Sequence, residues 1–191
     1  MLGKKNPAGR LPFTWGHQLQ DYPATDPKYP ERSGKGVDGK TTFSEGIYVG
    51  YRWFDKQKIE PLFPFGYGLS YTQFSYSGIA VNRAQDGGLD VSFTIKNTGS
   101  LPGEETPQVY LGAPSDLPAG IQFADRALIA FDRIQLAPGA SRTVTLHAPS
   151  RSLQYWSEND AHWMLAQGLR QVSVGSSSRD LKLNADLAIH D

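Results

Sequence analysis

The sequence predicts a mainly β protein whose second half forms an antiparallel β-sandwich. The clearest observation is the segment 89–96, Leu-Asp-Val-Ser-Phe-Thr-Ile-Lys, in which apolar and polar side chains alternate strictly. Successive side chains of a strand point to opposite faces, so one face of this strand is wholly apolar. Turn residues flank it at 86–88 and 97–100. The 191 residues also include 20 glycines, 13 prolines and 12% aromatic residues, a composition typical of loop-rich β proteins.

Five further strands are predicted in the part of the chain that follows. They cover residues 108–111, 126–136, 141–146, 169–174 and 181–189. Their spacing, with turns such as Ala-Pro-Gly-Ala between the second and third, favours a sandwich because no long amphipathic helix interrupts them. A sandwich needs only about 100 residues, so the first part of the chain requires a separate explanation.

Residues 1–42 are predicted to be irregular. Their prolines fix φ and push the preceding residue into extended geometry, which excludes a persistent helix. A short strand ending at Gly16 is the one regular element expected here. A structureless segment of this length indicates a surface segment that packs on protein outside this chain. Residues 43–54 are interpreted either as a strand or as a short helix, with Ser44 as N-cap and Glu45 in the first turn.

The composition argues against several classes of function. The formal net charge is zero and the pI is about 6.9, so nothing indicates a nucleic acid or an anionic membrane as partner. The absence of cysteine excludes disulfides and thiolate metal sites and leaves the compartment undecided. No apolar run approaches the ~20 residues of a membrane span. The basic residues near the N-terminus are not followed by the apolar stretch of a signal peptide.

Aromatic residues and glycines alternate densely between residues 43 and 74. Residues 45–52 read Glu-Gly-Ile-Tyr-Val-Gly-Tyr-Arg, and residues 63–72 read Phe-Pro-Phe-Gly-Tyr-Gly-Leu-Ser-Tyr-Thr. These motifs resemble the late C-terminal part of glycoside hydrolase family 3, the β-glucosidase and β-xylosidase group. The resemblance covers the chain from about residue 6 to about residue 183. It continues in order through residues 109–111, 130–146, 153–156 and 172–183. The sequence departs from the family in the 113–123 loop and at 126–129, where Arg-Ala-Leu-Ile replaces a Lys-Glu-Leu-like run.

The resemblance implies a division of the chain into three parts. Residues 1–62 would be the end of an incomplete α/β sandwich domain, residues 63–78 a connector, and residues 79–191 a fibronectin type III/immunoglobulin-like β-sandwich. The implied role is structural: the module braces the catalytic domains of a β-glucosidase-like hydrolase. Those N-terminal domains are the expected partner, and the parent enzyme is expected in the periplasm or outside the cell.

The resemblance also implies that the chain alone is inactive. In the family, the nucleophilic aspartate and the acid/base residue lie upstream of anything matched here, so no catalytic residue, cofactor or metal is expected. Glycoside hydrolysis usually requires two carboxyl groups flanking the sugar bond. Glu45 and Glu60 are candidates, but both match the closing segment rather than the family's catalytic loop, and Glu45 is better explained as a charge at a helix N-terminus. The four histidines lack ligand spacing, and the GxSxG and SxxK motifs do not occur.

A nucleotide-binding alternative arises from residues 34–41, Gly-Lys-Gly-Val-Asp-Gly-Lys-Thr, which satisfy the P-loop pattern GxxxxGK[ST]. Residues 128–132 resemble the acidic strand that accompanies a P-loop. A P-loop needs a buried strand before it and a helix after it. The proline-rich residues 26–33 cannot form such a strand, so a glycine-rich surface loop is the favoured interpretation.

The aromatic residues allow two interpretations. Flat rings complement the apolar faces of sugars, and Trp53, Tyr67 and Trp156 are the candidate substrate-binding residues. Interdomain packing is favoured, because aromatic side chains bury large areas at low entropic cost. The remaining alternatives are a free-standing module that binds oligo- or polysaccharide or a partner protein, self-association through an exposed apolar face, and a short hydrolase of another type.

Overall fold

The computed structural model describes residues 5–190 as a mainly β protein with one short helix. The helix α1 spans Tyr51–Gln57, and 3₁₀ turns lie at Leu19–Asp21, Pro30–Arg32 and Ser150–Leu153. The strands are β1 Phe74–Arg83, β2 Leu89–Asn97, β3 Gly103–Glu105, β4 Gln108–Gly112, β5 Arg126–Phe131, β6 Ile134–Leu136, β7 Ser141–Ala148, β8 Gln154–Ser157, β9 His162–Leu165, β10 Gly168–Gly175 and β11 Leu181–Ile189. Within the described residues no helix has both the length and the apolar character needed to cross a membrane.

Two antiparallel sheets form the sandwich. One has the strand order β1-β2-β7 and the other the order β11-β10-β4-β5. Strands β3 and β6 pair separately, and β8 and β9 form a hairpin. The predicted fold class, a mainly β antiparallel sandwich preceded by an irregular segment, is confirmed.

The core between the sheets follows from the alternation in β2. Leu89, Val91, Phe93 and Ile95 are all fully buried. The opposite sheet contributes buried apolar side chains, namely Val109, Leu111, Val172 and Val174. Each buried side chain of this kind stabilises the fold by roughly 1.5–3 kcal/mol. The outward face of β2 is polar, since Ser92 and Thr94 pair with the hydroxyls of Thr145 and Thr143 on β7. Residues 74–190 therefore close a core of their own.

The prediction of one strand over residues 126–136 is wrong. The chain leaves β5 at Asp132 and re-enters pairing at Ile134, because β5 belongs to the four-stranded sheet and β6 pairs with β3. The hairpin β8–β9 and the short strand β3 were not predicted.

The leading segment, defined here as residues 5–73, is irregular as predicted, but two of its details differ. No strand ends at Gly16, where the structure has only an isolated bridge between Trp15 and Phe63. The helix begins at Tyr51 with Gly50 as N-cap, so the placement of Ser44 and Glu45 at a helix start is wrong. The Ser44 hydroxyl instead donates to Glu31 and accepts a hydrogen bond from Arg32 Nε at 2.7 Å.

Candidate functional site

Two stretches of the leading segment, residues 10–15 and 63–67, pair with each other through their backbones. Leu11 N donates to Tyr67 O at 2.8 Å, and Gly66 N donates to Leu11 O at 2.8 Å. Further along, Trp15 and Phe63 exchange backbone hydrogen bonds of 2.8 and 3.1 Å. These paired backbone groups hold residues 10–15 against residues 63–67, which precede β1 by a few residues.

Close approach explains why glycines are dense in this connector. Gly66 has φ of +83°, and a Cβ there would lie 2.2 Å from Gln108 Nε2 on β4. A Cβ on Gly68 would lie 2.4 Å from the carbonyl oxygen of Gly9. The left-handed φ at Gly66 and the backbone oxygen beside Gly68 are what favour glycine at these two positions.

A buried carboxylate fixes α1 to the sandwich. Asp55 on α1 lies 3.0 Å from Arg126 Nε and 3.2 Å from Arg179 Nη2, and its side chain is 2% exposed. Burial raises the pKa of Asp55, and the two guanidinium groups oppose that shift. Arg126 also donates to the carbonyl of Ser178 at 2.8 Å, and Arg179 donates to the carbonyl of Ile59 at 3.1 Å. The cluster joins three stretches of chain at one point.

A second buried carboxylate ties the beginning of the described chain to the sandwich. Arg10 Nη2 lies 2.7 Å from Glu105 Oε2. The hydroxyl of Tyr76 on β1 donates to Glu105 Oε1 at 2.8 Å. Burial raises the pKa of Glu105, whereas Arg10 and Tyr76 favour its charged form. Both buried carboxylates thus act as contacts between the leading segment and the sandwich.

The outer side of the leading segment carries an aromatic patch, defined as Phe13, Trp15, Phe63, Tyr67 and Leu69. The ring centroids of Phe13 and Trp15 are 5.5 Å apart, those of Trp15 and Phe63 6.5 Å, and those of Phe63 and Tyr67 4.9 Å. Trp15 is 48% exposed and Leu69 67% exposed. The patch borders an open depression of about 460 Å³ lined mainly by apolar groups. Contiguous exposed apolar side chains such as these occur at protein contact surfaces.

Comparison with known proteins assigns this arrangement. Residues 1–51 match the family model described as the glycosyl hydrolase family 3 C-terminal domain, and residues 105–178 match the fibronectin type III-like domain. The chain is 33% identical over 193 residues to thermostable beta-glucosidase B of Acetivibrio thermocellus, an alignment covering 100% of this chain and 24% of that protein. The chain belongs to glycoside hydrolase family 3.

Solved structures from family 3 share the fold as well as the sequence. DesR, a beta-glucosidase from Streptomyces venezuelae, superposes with a TM-score of 0.89 at 38% identity, covering 97% of this chain and 23% of that one. Beta-glucosidase 3B from Thermotoga neapolitana gives 0.84 at 38% identity, covering 99% and 25%. The chain spans about a quarter of the length of the curated relatives it matches. It corresponds to the C-terminal region of these family 3 enzymes.

Within this family 3 chain, the three candidate sugar-binding aromatics lie in different environments. Trp53 is 2% exposed, its Nε1 donates to the carbonyl of Asp21 at 3.0 Å, and the guanidinium of Arg32 lies 5.1 Å from its ring centroid. Tyr67 lies in the aromatic patch. Trp156 lies on β8, is 45% exposed and faces Trp163 on β9. The structure therefore does not bring the three together, and only Tyr67 and Trp156 present a ring at a surface.

The candidate carboxylates do not form a pair at a cleft. Glu45 lies 3.7 Å from Arg32 Nε, and Glu60 is exposed beyond the end of α1. Sequence reasoning missed Asp55 and Glu105, whose burial follows from tertiary contacts rather than from any local pattern. Across residues 5–190, no group of three or more histidine, aspartate or glutamate side chains is arranged to hold a metal ion.

The P-loop pattern lacks the structure that phosphate binding needs. Residues 34–41 form a tight turn closed by a bridge between Val37 and Lys40. A 3₁₀ turn at Pro30–Arg32 precedes them, and turns rather than a helix follow. No backbone amides of a helix N-terminus converge on this loop, so the context required for a nucleotide site is missing from the described chain.

Proposed function

We propose that this family 3 chain is the structural C-terminal module of a β-glucosidase-type enzyme and that its leading segment docks on that enzyme's N-terminal catalytic part. The proposed division is the end of an α/β sandwich domain at 1–62, a connector at 63–78 and a fibronectin type III-like domain at 79–191. The named relatives are beta-glucosidases of which this chain covers 23–25%. The part of these enzymes that this chain does not cover is the proposed docking partner.

The aromatic patch is the observation that carries this proposal. Nine of the fifteen large hydrophobic side chains that are exposed in the described chain belong to the leading segment. Contiguous exposed aromatics of this kind serve as interface anchors, because each buries a large area with few rotatable bonds. The sandwich needs no such partner, since its own core is closed. The unpartnered apolar area is thus concentrated where the family's α/β domain would continue.

The buried carboxylates support a bracing role rather than a catalytic one. Asp55 and Glu105 are each held by arginine side chains and are almost inaccessible to solvent. A glycosidase acid or nucleophile must reach the bond of a bound sugar. These two groups instead keep the leading segment at a fixed position on the sandwich, so the aromatic patch is presented rigidly.

A chimera tests the proposal. The corresponding C-terminal quarter of beta-glucosidase 3B from Thermotoga neapolitana is replaced by this chain, which is 38% identical to it. We expect the chimera to hydrolyse a chromogenic aryl β-glucoside, while the chain alone gives no turnover. In the chimera, Trp15→Ala is expected to lower the melting temperature and the activity, because an interface anchor is lost.

Phe131→Ala is the matched control for the chimera, since Phe131 is an aromatic residue on β5 that is 65% exposed outside the leading segment. It is expected to leave both quantities unchanged. Turnover by the chain alone, or equal effects of the two substitutions, would show that the proposal is wrong.

A further inference from the structure

A groove separate from the aromatic patch lies beside the hairpin β8–β9. It has a volume of about 670 Å³, within the ~300–1,000 Å³ typical of ligand sites. Its walls carry three arginines, Arg52, Arg151 and Arg170, and four aromatic rings, among them those of Trp156 and Trp163. No aspartate or glutamate in the described part of the chain lines it. The groove is therefore cationic and aromatic at once.

Arg170 is the buried arginine among the residues that line this groove. Arg170 is 4% exposed, and its Nε donates to the carbonyl of Gly112 at 2.7 Å. Its Nη1 is buried and has no hydrogen-bond partner among the described residues. Burial lowers the pKa of Arg170 to about 10, so the group remains charged at neutral pH. A buried cation without a counter-charge is costly, and an anion bound in the groove would relieve that cost.

The rim of the groove offers flat apolar faces. Trp156 and Trp163 are 45% and 43% exposed, and their ring centroids are 5.6 Å apart at an interplanar angle of 69°. The Arg151 guanidinium lies 3.9 Å from the ring centroid of Trp163 and covers one face of it. Amide and hydroxyl groups of Gln122, Ser152 and Gln154 also line the groove and can pair with sugar hydroxyls.

We propose that this groove binds a sugar that bears a carboxylate, with the pyranose ring against Trp156 and the carboxylate on the guanidinium of Arg170. A guanidinium presents paired N–H groups that match the planar geometry of a carboxylate. An aromatic ring beside it matches the apolar face of a pyranose, and the neighbouring amides match its hydroxyls. The ligand class is thus a uronic acid or a uronic-acid-terminated oligosaccharide.

A pair of ligands that differ in one group tests the proposal. Calorimetry on the full chain would compare methyl β-D-glucuronide with methyl β-D-glucoside, which carries a hydroxymethyl group in place of the carboxylate. We expect at least about tenfold tighter binding of the glucuronide, because a hydrogen bond to a charged group contributes more than one to a neutral group. Equal affinities, or no binding of either ligand, would overturn the proposal.

Substitutions assign the two parts of the site. Arg170→Met is expected to abolish the preference for the glucuronide without lowering the melting temperature, because it removes an unpaired buried charge. Trp156→Ala is expected to lower the affinity for both ligands. Trp15→Ala on the aromatic patch is the control and is expected to change neither affinity. Arg170→Lys keeps the charge without the planar fork and is expected to lose most of the preference, which covers the case in which Arg170→Met fails to fold. A preference retained in either Arg170 variant would overturn the proposal.

One further measurement distinguishes a sugar-binding groove from a groove that contacts the catalytic part of the enzyme. In the chimera described above, Arg170→Met is expected to leave the melting temperature of the assembled enzyme unchanged or higher. If it lowers that temperature while glucuronide binding persists, the groove holds a carboxylate of the catalytic part, and the sugar-site proposal is wrong.

Discussion

The guanidinium of Arg10 and the carboxylate of Glu105 lie 2.7 Å apart although 95 residues separate them in sequence. The Glu105 side chain is 3% exposed and that of Arg10 is 15% exposed. Tyr76 completes the pairing of the carboxylate from the sandwich side. The ion pair thus closes a long loop of chain and leaves the carboxylate almost without contact with water.

Removal of Arg10 is expected to destabilise the protein strongly. Arg10→Met leaves the buried carboxylate of Glu105 without its cation, which typically costs about 3–5 kcal/mol. The free energy of unfolding in urea measures this. Arg133→Met is the matched control, because Arg133 pairs with the neighbouring Glu104 but its side chain is 65% exposed. That change is expected to cost at most about 1 kcal/mol, and equal losses would contradict the role assigned to Arg10.

Asp55→Asn is expected to loosen α1. The substitution removes the carboxylate shared by Arg126 and Arg179 and leaves two neighbouring guanidinium groups facing each other. The free energy of unfolding should fall by about 3 kcal/mol. This is the lower end of the range for breaking a buried ion pair, because both arginines are partly exposed. Hydrogen exchange at the α1 amides is expected to accelerate more than exchange in β2. Asp125→Asn, an exposed neighbour, should leave both rates unchanged.

Lysine-to-glycine substitution is expected to have opposite effects at two positions near the end of α1. Lys58 is the C-cap with φ of +55° and ψ of +36°, a left-handed conformation that strains a side-chain-bearing residue. Lys58→Gly should therefore stabilise the protein by about 0.5 kcal/mol. Lys56→Gly, within the helix, should destabilise it by about 1 kcal/mol. Thermal unfolding would reveal both, and destabilisation by Lys58→Gly would contradict this account.

His147 on β7 is expected to make stability depend on pH. Its Nδ1 lies 2.8 Å from Asp90 and its Nε2 lies 3.2 Å from Asp86. Both contacts raise the pKa of His147 above 6.5, and the hydrogen bond to Asp90 has the larger effect. A raised histidine pKa gives stabilisation that is complete below the unfolded-state value near 6.5 and is lost as pH rises through the folded-state value.

The urea midpoints of the wild type and His147→Gln at pH 5.5 and 8.5 measure this dependence. The advantage of the wild type should be larger at pH 5.5, where the imidazolium is present in both states, and should shrink by pH 8.5. A difference that is the same at both pH values would contradict the assignment of His147.

The sandwich was the more predictable half of the fold, for physical reasons. The alternation of Leu89, Val91, Phe93 and Ile95 specifies which face of β2 is buried, and the structure confirms the strand. The break between β5 and β6 was missed because Asp132 and Arg133 can occupy a continuous strand as readily as a gap. The hairpin β8–β9 turns through Ala161 at φ of +53°, a conformation that turn chemistry assigns to glycine or asparagine.

The candidate site was predicted only in outline. The aromatic density of residues 43–74 indicated a contact region, but nothing local distinguishes the buried Trp53 from the exposed Trp15. Their environments depend on Arg32, Asp21 and Phe63, which reach them through tertiary contacts. The alternation in β10 puts Arg170 on the same face as the buried Val172 and Val174, but arginine is rarely buried, so composition and pattern conflict at this position. Its burial in the groove depends on Phe123 and Gly112 from other parts of the chain.

Residues 63–68, shortly before β1, contact residues 9–15 on one side and Gln108 of β4 on the other. Linkers between domains are commonly exposed and flexible, and they then permit one domain to swivel against the next. Here paired backbone groups and side-chain contacts remove that freedom. A domain bound at the aromatic patch would therefore rotate together with the sandwich as one rigid unit. A rotation of either domain would be transmitted directly to the other.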